Sequence, residues 1–376
     1  MKIVPTLALL LYCCSVSAQP TTTDKLIRDA SYNKAIKAAR HYIDSLKTNQ
    51  HIPGLSICVG NREKILWAEG FGMADLENNV PVTIHSLFRM GSVSKLMTAL
   101  AVGRLCQQGK LDLDVPVQQY LPGYPLQKYS FTARQLASHT AGIRHYGPND
   151  PVAIPKRYTS VKESLSIFSH DSLLFKPGTG YNYSTYGFTL LSAVVETAAG
   201  KDFLFYMRDS IFLPMGMNHT FPDYSDSIVP GRVRFYENTK DGKFVNAALI
   251  DNSYKWAGGG FLSTPVDLVN MMRALLNHRF LNLKTVELLF TPQYLENGTN
   301  THVGIAWRIN ETKSGLQYIH HGGLIDGGRT FVFMFPERGY FFAVAANTSS
   351  ARLNIDEAAT VLQFFMVNGP RNKDAR

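Results

Sequence analysis

Cysteine is scarce in this sequence, and so are charged residues. The 376 residues include four cysteines, and Asp, Glu, Lys and Arg make up 18% of the chain. Two of the cysteines fall within the first eighteen residues, while Cys58 and Cys106 stand among apolar neighbours. Such surroundings favour buried, inert thiols, although pairing in an oxidising compartment stays open. The hydrophobic fraction of 45% excludes a disordered, collagen-like or coiled-coil chain.

The sequence also lacks a concentrated basic region, although its formal net charge is +9. Lysine and arginine are scattered, and the densest group is Arg371, Lys373 and Arg376 in the tail, where Asp374 interrupts it. Nucleic-acid binding depends on basic residues gathered on one face rather than on a surplus of them. We therefore expect no nucleic-acid partner.

After the N-terminal segment, no hydrophobic run of the sequence reaches the length of a membrane span. The first eighteen residues combine Lys2, an apolar run over 3–16 and a small-residue site that ends at Ala18. This pattern predicts a secretory signal peptide over residues 1–18, so we expect an exported protein, secreted or periplasmic. A lipid anchor on Cys13 or Cys14 is the less favoured alternative, because Tyr12 precedes Cys13 at a position where a small residue is usual.

Hydrophobic periodicity predicts strands near both chain ends and helices between them. An amphipathic helix is predicted over 24–48, followed by strands at 55–59 and 64–68. Helices are then predicted at about 92–108, 132–138, 160–167, 184–198, 202–208 and 265–277. Strands at 303–309, 316–320, 330–335 and 341–345 precede a last helix at 356–367.

This order of elements predicts an α/β (α+β) fold. An antiparallel sheet would be built from both ends of the chain and flanked by helices, with a mostly helical inserted region. We expect one domain over 24–368, with its α/β part at 24–90 and 256–368 and its helical part at 91–255. Residues 369–376 are expected to form a flexible tail.

The segment GSVSK at 91–95 opens a predicted helix and is the first candidate for chemistry. Ser92 and Lys95 are three residues apart, so both side chains would lie on one helix face. A desolvated lysine with a lowered pKa can accept the proton of a serine hydroxyl and turn it into a nucleophile. The pattern alone is weak, because Ser31 and Lys34 repeat it in an ordinary surface helix.

The surroundings of Ser92 make the assignment more specific. Characteristic segments follow one another along the chain: LFRMGSVSK (87–95), GKLDLDVPV (109–117), LASHTAGI (136–143), PGTGYNYSTYG (177–187), GGGFLST (258–264) and HHGG (320–323). In order and spacing this set resembles the serine beta-lactamase-like superfamily, which contains class C beta-lactamases, D-alanyl-D-alanine carboxypeptidases and related esterases. The resemblance covers about residues 30–367 and is closest to the mitochondrial serine beta-lactamase-like branch.

The resemblance implies roles for residues on two helices. Ser92 would be the acylated nucleophile and Lys95 its proton partner. Tyr183 stands at the first position of the family's Tyr-x-Asn motif, where a tyrosinate-like phenol relays protons to the leaving group. Thr185 stands at the third position in place of asparagine. Its hydroxyl can still bind Lys95 or a substrate amide, but with a shorter reach.

A further implied group lies on a strand, where HHGG at 320–323 replaces the usual Lys-Thr-Gly. Gly323 and Ser92 would supply the two backbone N–H groups of an oxyanion hole, and the strand edge at Gly322 would pair with an extended substrate. His320 would take the lysine's place at the substrate carboxylate. An imidazole with a pKa of about 6.5 is mostly neutral at pH 7, so we expect poor penicillin turnover that improves at lower pH.

Other patterns favour structural interpretations. The adjacent histidines of HHGG would point to opposite faces of a strand and no His-Glu-x-x-His occurs, so no metal or cofactor is expected. His139 is interpreted as part of a turn beside the site rather than as a triad base. Gly258, Gly259 and Gly260 are interpreted as a tight bend, because no Lys-Ser/Thr follows them as it would in a phosphate loop.

The sequence thus predicts an exported serine hydrolase that acts through an acyl-Ser92 intermediate on peptides, esters or, weakly, beta-lactams. Peptidase or esterase activity is favoured over true beta-lactamase activity. The partner would be a small molecule or a peptide, and a homo-oligomer stays open. The alternative is a non-catalytic binding or filament-forming scaffold, which the loss of asparagine at Thr185 favours.

Overall fold

The computed structural model describes residues 26–148, 150 and 156–369. The predicted signal peptide, the lipid-anchor alternative and all but the first residue of the predicted tail lie outside the described residues. The strands are Leu26–Arg28 (β1), Gly54–Asn61 (β2), Ile65–Asp75 (β3), Val80–Pro81 (β4), Phe88–Arg89 (β5), Phe221–Pro222 (β6), Tyr236–Asn238 (β7), Phe244–Asn246 (β8), Phe261–Ser263 (β9), Arg308–Glu311 (β10), Gln317–Ile325 (β11), Gly328–Phe335 (β12) and Tyr340–Ala346 (β13). The α-helices are Asn33–Asn49 (α1), Ser94–Gln107 (α2), Ala133–Ala137 (α3), Val161–Leu165 (α4), Thr185–Ala199 (α5), Phe203–Tyr206 (α6), Trp256–Gly259 (α7), Pro265–Leu276 (α8), Leu283–Phe290 (α9) and Ile355–Asn368 (α10).

The principal sheet joins strands from both ends of the chain. Its strand order is β1–β3–β2–β13–β12–β11–β10, and β4 pairs with β3. Its pairs are antiparallel, including the pair of β2 with β13, in which Ile57 lies opposite Val344. The predicted α/β (α+β) fold, with an antiparallel sheet built from both chain ends and flanked by helices, is confirmed.

Helices cover both faces of this sheet. α1 and α10 contact each other on one face, where Trp67, Phe333 and Phe365 share a buried cluster. On the other face α8 contacts β2 and β13, and residues of α2 belong to the same core cluster as those of α8. A strand covered on both faces is mostly apolar, and β2, with the sequence GLSICVGN, is buried over its first seven residues.

The helices between β5 and β9 form the other wall of the site. α2 is buried along most of its length, so it runs through the core rather than along the surface. α5 packs against α2, and the Ser184 side chain caps α5 by accepting a hydrogen bond from the Gly187 N–H. Gly200 ends α5 in a left-handed conformation with a φ of 63°. These signals fix the first turn of α5 beside the first turn of α2.

The N-terminal helix begins later than the periodicity predicts. β1 pairs with β3, and Ile27 lies opposite Ala68. The Asp29 side chain then accepts a hydrogen bond from the Ser31 N–H and starts a 3-10 turn before α1. Over 26–32 the helical pattern is therefore overridden by strand pairing and by a local cap, and the predicted helix is wrong in that part, while residues 24 and 25 lie outside the described residues.

The strand predicted at 303–309 is also wrong over its first residues, because β10 begins at Arg308. His302 and Ala306 have φ values of 56° and 70°, and this left-handed conformation interrupts an extended strand. The hydrophobic pattern predicts neither the helix α9 nor the hairpin of β7 and β8. The residues of β8 are all exposed, so that strand has no buried face for a pattern to reveal.

Thiols and possible membrane spans can be assessed within the described residues. Cys58 and Cys106 are free, Cys58 being buried in β2 and Cys106 partly buried near the end of α2. Burial raises the pKa of both thiols, that of Cys106 to about 12, which makes them poor nucleophiles at neutral pH. No helix in the described part of the chain is both long and apolar enough to cross a membrane.

Candidate active site

Ser92 lies where the start of α2 meets β11, beyond the part of that strand that pairs with β10. It belongs to the 3-10 turn Gly91–Val93, and Gly91 has a φ of 49°. A Cβ on Gly91 would stand 2.9 Å from the Leu324 nitrogen, and a Cβ on Gly323 would stand 2.0 Å from the Met90 oxygen and 3.4 Å from the Ser92 nitrogen. Only glycines allow this approach of the two backbones. The structure therefore brings the predicted oxyanion-hole residues, Ser92 and Gly323, together.

Lys95 lies fully buried one turn along the same helix, within reach of Ser92. Its Nζ is 3.4 Å from Ser92 Oγ, 3.1 Å from Thr185 Oγ1 and 2.6 Å from the Gly258 carbonyl oxygen. Burial lowers the pKa of Lys95 well below its ordinary value, and the charge of Arg308 lowers it further. A neutral amine has two N–H donors for Gly258 and Thr185, which leaves its lone pair for the Ser92 hydroxyl.

Tyr183 lies on the other side of Ser92, with its ring centroid 4.8 Å from Lys95 Nζ. Burial raises the pKa of Tyr183 to about 12, while a hydrogen bond with Ser92 and the charge of Arg308 oppose the shift. At neutral pH the phenol is therefore protonated in this resting arrangement. A protonated phenol can donate to a leaving group, and the buried amine of Lys95 is the candidate base beside Ser92, while the tyrosinate-like relay stays a prediction.

Thr185 is held at the first turn of α5, where its hydroxyl accepts a hydrogen bond from Lys95. Its backbone N–H donates to His145 Nδ1 over 3.2 Å. A Cβ on Gly258 would stand 2.5 Å from Thr185 Cγ2, so the contact requires glycine there. Two of the three glycines interpreted as a bend, Gly258 and Gly259, end the short helix α7, and the carbonyl oxygen of Gly258 binds Lys95. The three successive glycines are the signal that marks this contact in the sequence.

His320 does not lie in the cleft, so its expected contact with a substrate carboxylate is wrong. Its Nε2 lies 3.0 Å from Asn310 Oδ1, and its ring packs against the rings of Tyr318 and Phe331. Phe331 belongs to the cluster that α1 and α10 cover, on the sheet face opposite Ser92. Burial lowers the pKa of His320 to about 4, so the expected titration near pH 6.5 is wrong as well.

His321 takes the cleft-facing position, because successive residues of a strand point to opposite faces. It lines a pocket with Ser92, Arg308 and Gly322, and its ring centroid lies 6.4 Å from that of Tyr183. Its Nδ1 lies 2.7 Å from the Gly322 carbonyl oxygen, which can only accept, so Nδ1 carries the proton. Burial lowers the pKa of His321 well below 6.5, so the ring is neutral and its Nε2 is an acceptor.

Other histidines surround Tyr183 and position it. His139 has a φ of 64°, accepts a hydrogen bond from the Ser184 N–H at Nδ1, and lies 4.4 Å from Tyr183 between ring centroids. It is a buried turn residue next to the site, as the sequence interpretation has it. Burial lowers the pKa of His145 to about 4. Across the described residues, no group of His, Cys, Asp and Glu has the arrangement of a metal site.

The structure adds two cations that the motifs do not reveal. Arg308 lies at the start of β10, with its guanidinium carbon 5.8 Å from the Tyr183 ring centroid. Lys255 precedes α7 and lines a cavity of about 480 Å³ together with Ser92, Thr185 and Asp326. A shallower pocket of about 240 Å³ lies on the Arg308 side of Ser92. Single charged residues outside a motif leave no periodic or spacing signal, so the sequence does not predict these two.

Solved structures of other proteins share this fold. The octameric penicillin-binding protein homologue from Pyrococcus abyssi superposes with a TM-score of 0.77 at 22% identity, over 90% of this chain and 79% of that chain. A class C beta-lactamase superposes with a TM-score of 0.74 at 18% identity, over 92% of this chain and 100% of that chain. At these identities the likeness shows the fold.

Similarity in sequence identifies the family. Serine beta-lactamase-like protein LACTB, mitochondrial, of Homo sapiens is 30% identical to this chain, over 89% of this chain and 80% of that protein. The Beta-lactamase family model matches residues 39–363, a span that includes the segments carrying Ser92, Tyr183 and Gly323. The chain therefore belongs to the beta-lactamase family.

Proposed function

We propose that the protein is a serine hydrolase that transfers an acyl group first to Ser92 and then to water. Membership of the beta-lactamase family supports acyl transfer by a serine in general. The observation that carries the proposal is the buried amine of Lys95, 3.4 Å from Ser92 Oγ, whose pKa burial lowers well below its ordinary value. A serine hydroxyl is a weak nucleophile on its own, and a base at this distance can remove its proton as it attacks.

Acylation would begin with Ser92 Oγ attacking the substrate carbonyl carbon while its proton passes to Lys95 Nζ. The carbonyl oxygen would become an oxyanion near the N–H groups of Ser92 and Gly323, where hydrogen bonds stabilise it. The bond to the leaving group then breaks as Tyr183 donates its proton to the leaving atom. Lys95 returns the serine proton to Tyr183, so the net transfer is from Ser92 to the leaving group.

Deacylation would reverse these roles with water as the nucleophile. Water attacks the acyl carbon and gives a proton to the Lys95 and Tyr183 pair, and the bond from carbon to Ser92 Oγ breaks. The proton returns to Ser92 and the free acid leaves. Acylation and deacylation both balance without a redox group or a metal, because each step moves only an acyl group and protons.

For the substrate, we propose esters and peptides, with beta-lactams used weakly. The family's cationic strand position is not reproduced, since His320 faces away from the cleft and His321 is neutral. A penicillin carboxylate would therefore find no fixed charge on β11 and would depend on Arg308 of β10, which lines the same pocket. The D-stereospecific amidohydrolase from Streptomyces sp. shares the fold, and its name supports amide substrates as one class to test in this cleft.

Labelling with a fluorophosphonate tests the proposal directly, because the serine oxygen displaces fluoride and keeps the phosphonyl group. Wild-type protein should be labelled at Ser92, and Ser92→Ala should lose the label without a change in melting temperature. Ser31→Ala is the matched control, since Ser31 belongs to the other Ser-x-x-Lys and lies exposed in a 3-10 turn. Absence of label on the folded wild type would favour the scaffold alternative.

Export belongs to the same proposal and rests on residues 1–18 alone. The name of the human relative contains the word mitochondrial, so a mitochondrial location is the alternative to export. The N-terminus of protein recovered from the medium or periplasm should be Gln19. Recovery only from cells or mitochondria would contradict export and leave the Ser92 chemistry untouched.

A further inference from the structure

Lys255 lies in the cleft, although the mechanism proposed above does not use it. It ends the 3-10 turn Ser253–Lys255 and immediately precedes α7. The Tyr158 N–H donates to Ser253 Oγ over 2.7 Å, which ties this turn to the helical region. The turn thereby holds Lys255 at the wall of the cavity of about 480 Å³ that Ser92 also lines.

The side chain of Lys255 is buried without a polar partner. The residue is 6% exposed, and its Nζ lies 5.0 Å from the ring centroid of Tyr254 and 5.7 Å from that of Tyr146. Within residues 26–148, 150 and 156–369, Nζ has neither a hydrogen-bond nor a salt-bridge partner. Buried ammonium groups are ordinarily paired, because an unpaired one is costly to remove from water. An unpaired one on a cavity wall points to a ligand.

Lys255 is also close to the segment that carries the nucleophile. A Cβ on Gly259 would stand 3.8 Å from Lys255 Cδ and 3.7 Å from the carbonyl carbon of Gly91, the residue before Ser92. The aliphatic part of the Lys255 side chain and the Gly91 backbone therefore lie on either side of a space about as wide as one methyl group. Ser92 and Lys255 line the same cavity, so a group attached to Ser92 can extend toward Lys255.

The charges around Lys255 favour an anionic ligand. Burial lowers the pKa of Lys255 to about 8, and the charge of Asp326 keeps it from falling further, so the group is mostly protonated at pH 7. Among the described residues that line the cavity, Asp326 is the one acidic side chain, and it is exposed. A carboxylate in the cavity would meet a desolvated cation with free N–H donors, where charge-assisted hydrogen bonds are strong.

Tyr183 lines both the cavity of about 480 Å³ and the shallower pocket, so the two sides of Ser92 can hold different parts of a substrate. Arg308 and His321 flank Tyr183 in the shallower pocket. A leaving group in that pocket can receive the proton of Tyr183. The deeper cavity on the Lys255 side is then available for the acyl part.

We propose that Lys255 binds a carboxylate on the acyl part of the substrate and so makes the enzyme selective for acidic acyl donors. The inference rests on the proposed function of Ser92, because selectivity is read from the acyl transfer. Asp326 would face the same ligand from the rim of the cavity and weaken its binding by like-charge repulsion.

Two esters with the same leaving group test this selectivity: mono-p-nitrophenyl glutarate, which carries a free carboxylate, and its neutral methyl ester. The ratio of kcat/KM for the acid over that for the methyl ester measures the preference. Lys255→Met should lower this ratio about ten- to a hundredfold, the usual effect of losing a charge-assisted hydrogen bond. Lys255→Arg should recover part of it, because the charge is kept.

Matched variants distinguish a local contact of Lys255 with the substrate carboxylate from a general electrostatic effect of removing one positive charge. Lys284→Met removes the same charge from an exposed position of α9 and should leave both esters and their ratio unchanged. A ratio that stays within twofold of wild type in Lys255→Met overturns the proposal. A ratio that falls in Arg308→Gln and not in Lys255→Met overturns it too, and places the carboxylate on the other side of Ser92.

Failure of the proposed function gives a different result. If neither ester is hydrolysed faster by wild type than by Ser92→Ala, the Ser92 assignment fails. Binding of glutarate, measured by calorimetry on Ser92→Ala and on Ser92→Ala with Lys255→Met, then still tests the site. Weaker binding in the double variant supports the carboxylate contact, and equal binding overturns it. The melting temperature of Lys255→Met should not fall, since an unpaired buried charge does not stabilise the fold.

Discussion

Lys95 and Lys255 are both buried in this protein, and the difference between their surroundings explains their different uses. Lys95 is enclosed by the Ser92 hydroxyl, the Thr185 hydroxyl and the Gly258 carbonyl, and burial lowers the pKa of its amine well below the ordinary value. Lys255 has Asp326 in its neighbourhood and keeps a pKa of about 8. One amine is therefore suited to accept a proton, and the other to hold an anion.

Spacing predicts some of these residues and cannot predict others. Ser92 and Lys95 are found because a three-residue separation on a helix places two side chains together. The two adjacent histidines show the limit of the same reasoning. Alternation on a strand predicts that they face opposite ways, but which of them faces Ser92 depends on the pairing of His321 with Val332 and on how β11 meets α2.

The opposite orientations of His320 and His321 predict opposite effects of their removal. His320→Ala should reduce the free energy of unfolding by about 1–3 kcal/mol, because its ring fills space beside Tyr318 and Phe331. The folded variant should still be labelled by fluorophosphonate at the wild-type rate. His321→Ala should lower kcat/KM about tenfold or more through loss of an acceptor in the cleft.

Denaturant unfolding and labelling rates, measured on both variants, check this pair. His320→Lys should bring no gain in penicillin acylation, since the new charge would face α1 and α10. A selective gain in that variant would show that residue 320 reaches the substrate after all.

At the scale of elements, the site depends on close packing between α7 and α5. The sequence predicts α5 well, because Ser184 and Gly200 are a start and a stop signal at its ends. It does not predict α7, since WAGG is four residues long and contains two glycines, which disfavour a helix. α7 exists because its neighbours hold it, and glycine is kept where Gly258 meets Thr185.

Alanine at the two adjacent glycines of α7 should therefore have unequal effects. A Cβ on Gly258 would stand 2.5 Å from Thr185 Cγ2, whereas a Cβ on Gly259 would have no neighbour closer than 3.7 Å. Gly258→Ala should cost about 1–3 kcal/mol of stability through overpacking and should slow Ser92 labelling, because Thr185 moves relative to Lys95. The melting temperature of Gly259→Ala should lie within about two degrees of that of the wild type.

Thermal melts of the two variants, recorded side by side, make the comparison. Similar melting temperatures, both well below that of wild type, would mean that α7 rejects any side chain and that the Thr185 contact is not the cause.

At the scale of the whole molecule, the chain ends meet in one sheet and the middle of the chain completes the cleft. β2 pairs with β13, and α1 packs against α10 over the same face. Composition and the order of elements predict this architecture, because early and late strands with helices between them have few arrangements. They do not predict β1 or the start of β10, where edge pairing and two left-handed residues decide the outcome.

Phe365 joins the two chain ends and provides the test of this architecture. It is fully buried in α10, with its ring centroid 5.8 Å from that of Tyr32 and 6.3 Å from that of Trp67. Phe365→Ala should cost about 3–5 kcal/mol of unfolding free energy, the usual effect of removing a buried aromatic ring. Val367→Ala, on the same helix at a position that is 70% exposed, should change it by about 0.5 kcal/mol or less.

The effect should reach the cleft, although Phe365 lies on the sheet face opposite Ser92. Ser92 labelling and circular dichroism, followed across one denaturant titration, should lose signal at the same midpoint, and Phe365→Ala should shift both midpoints equally. The physical reason is that β11, which approaches Ser92, is paired through β12 and β13 to the strands that Phe365 covers. If Phe365→Ala shifts the midpoint of circular dichroism and leaves that of labelling in place, the helical region and the sheet unfold separately, and the cleft does not depend on the joined chain ends.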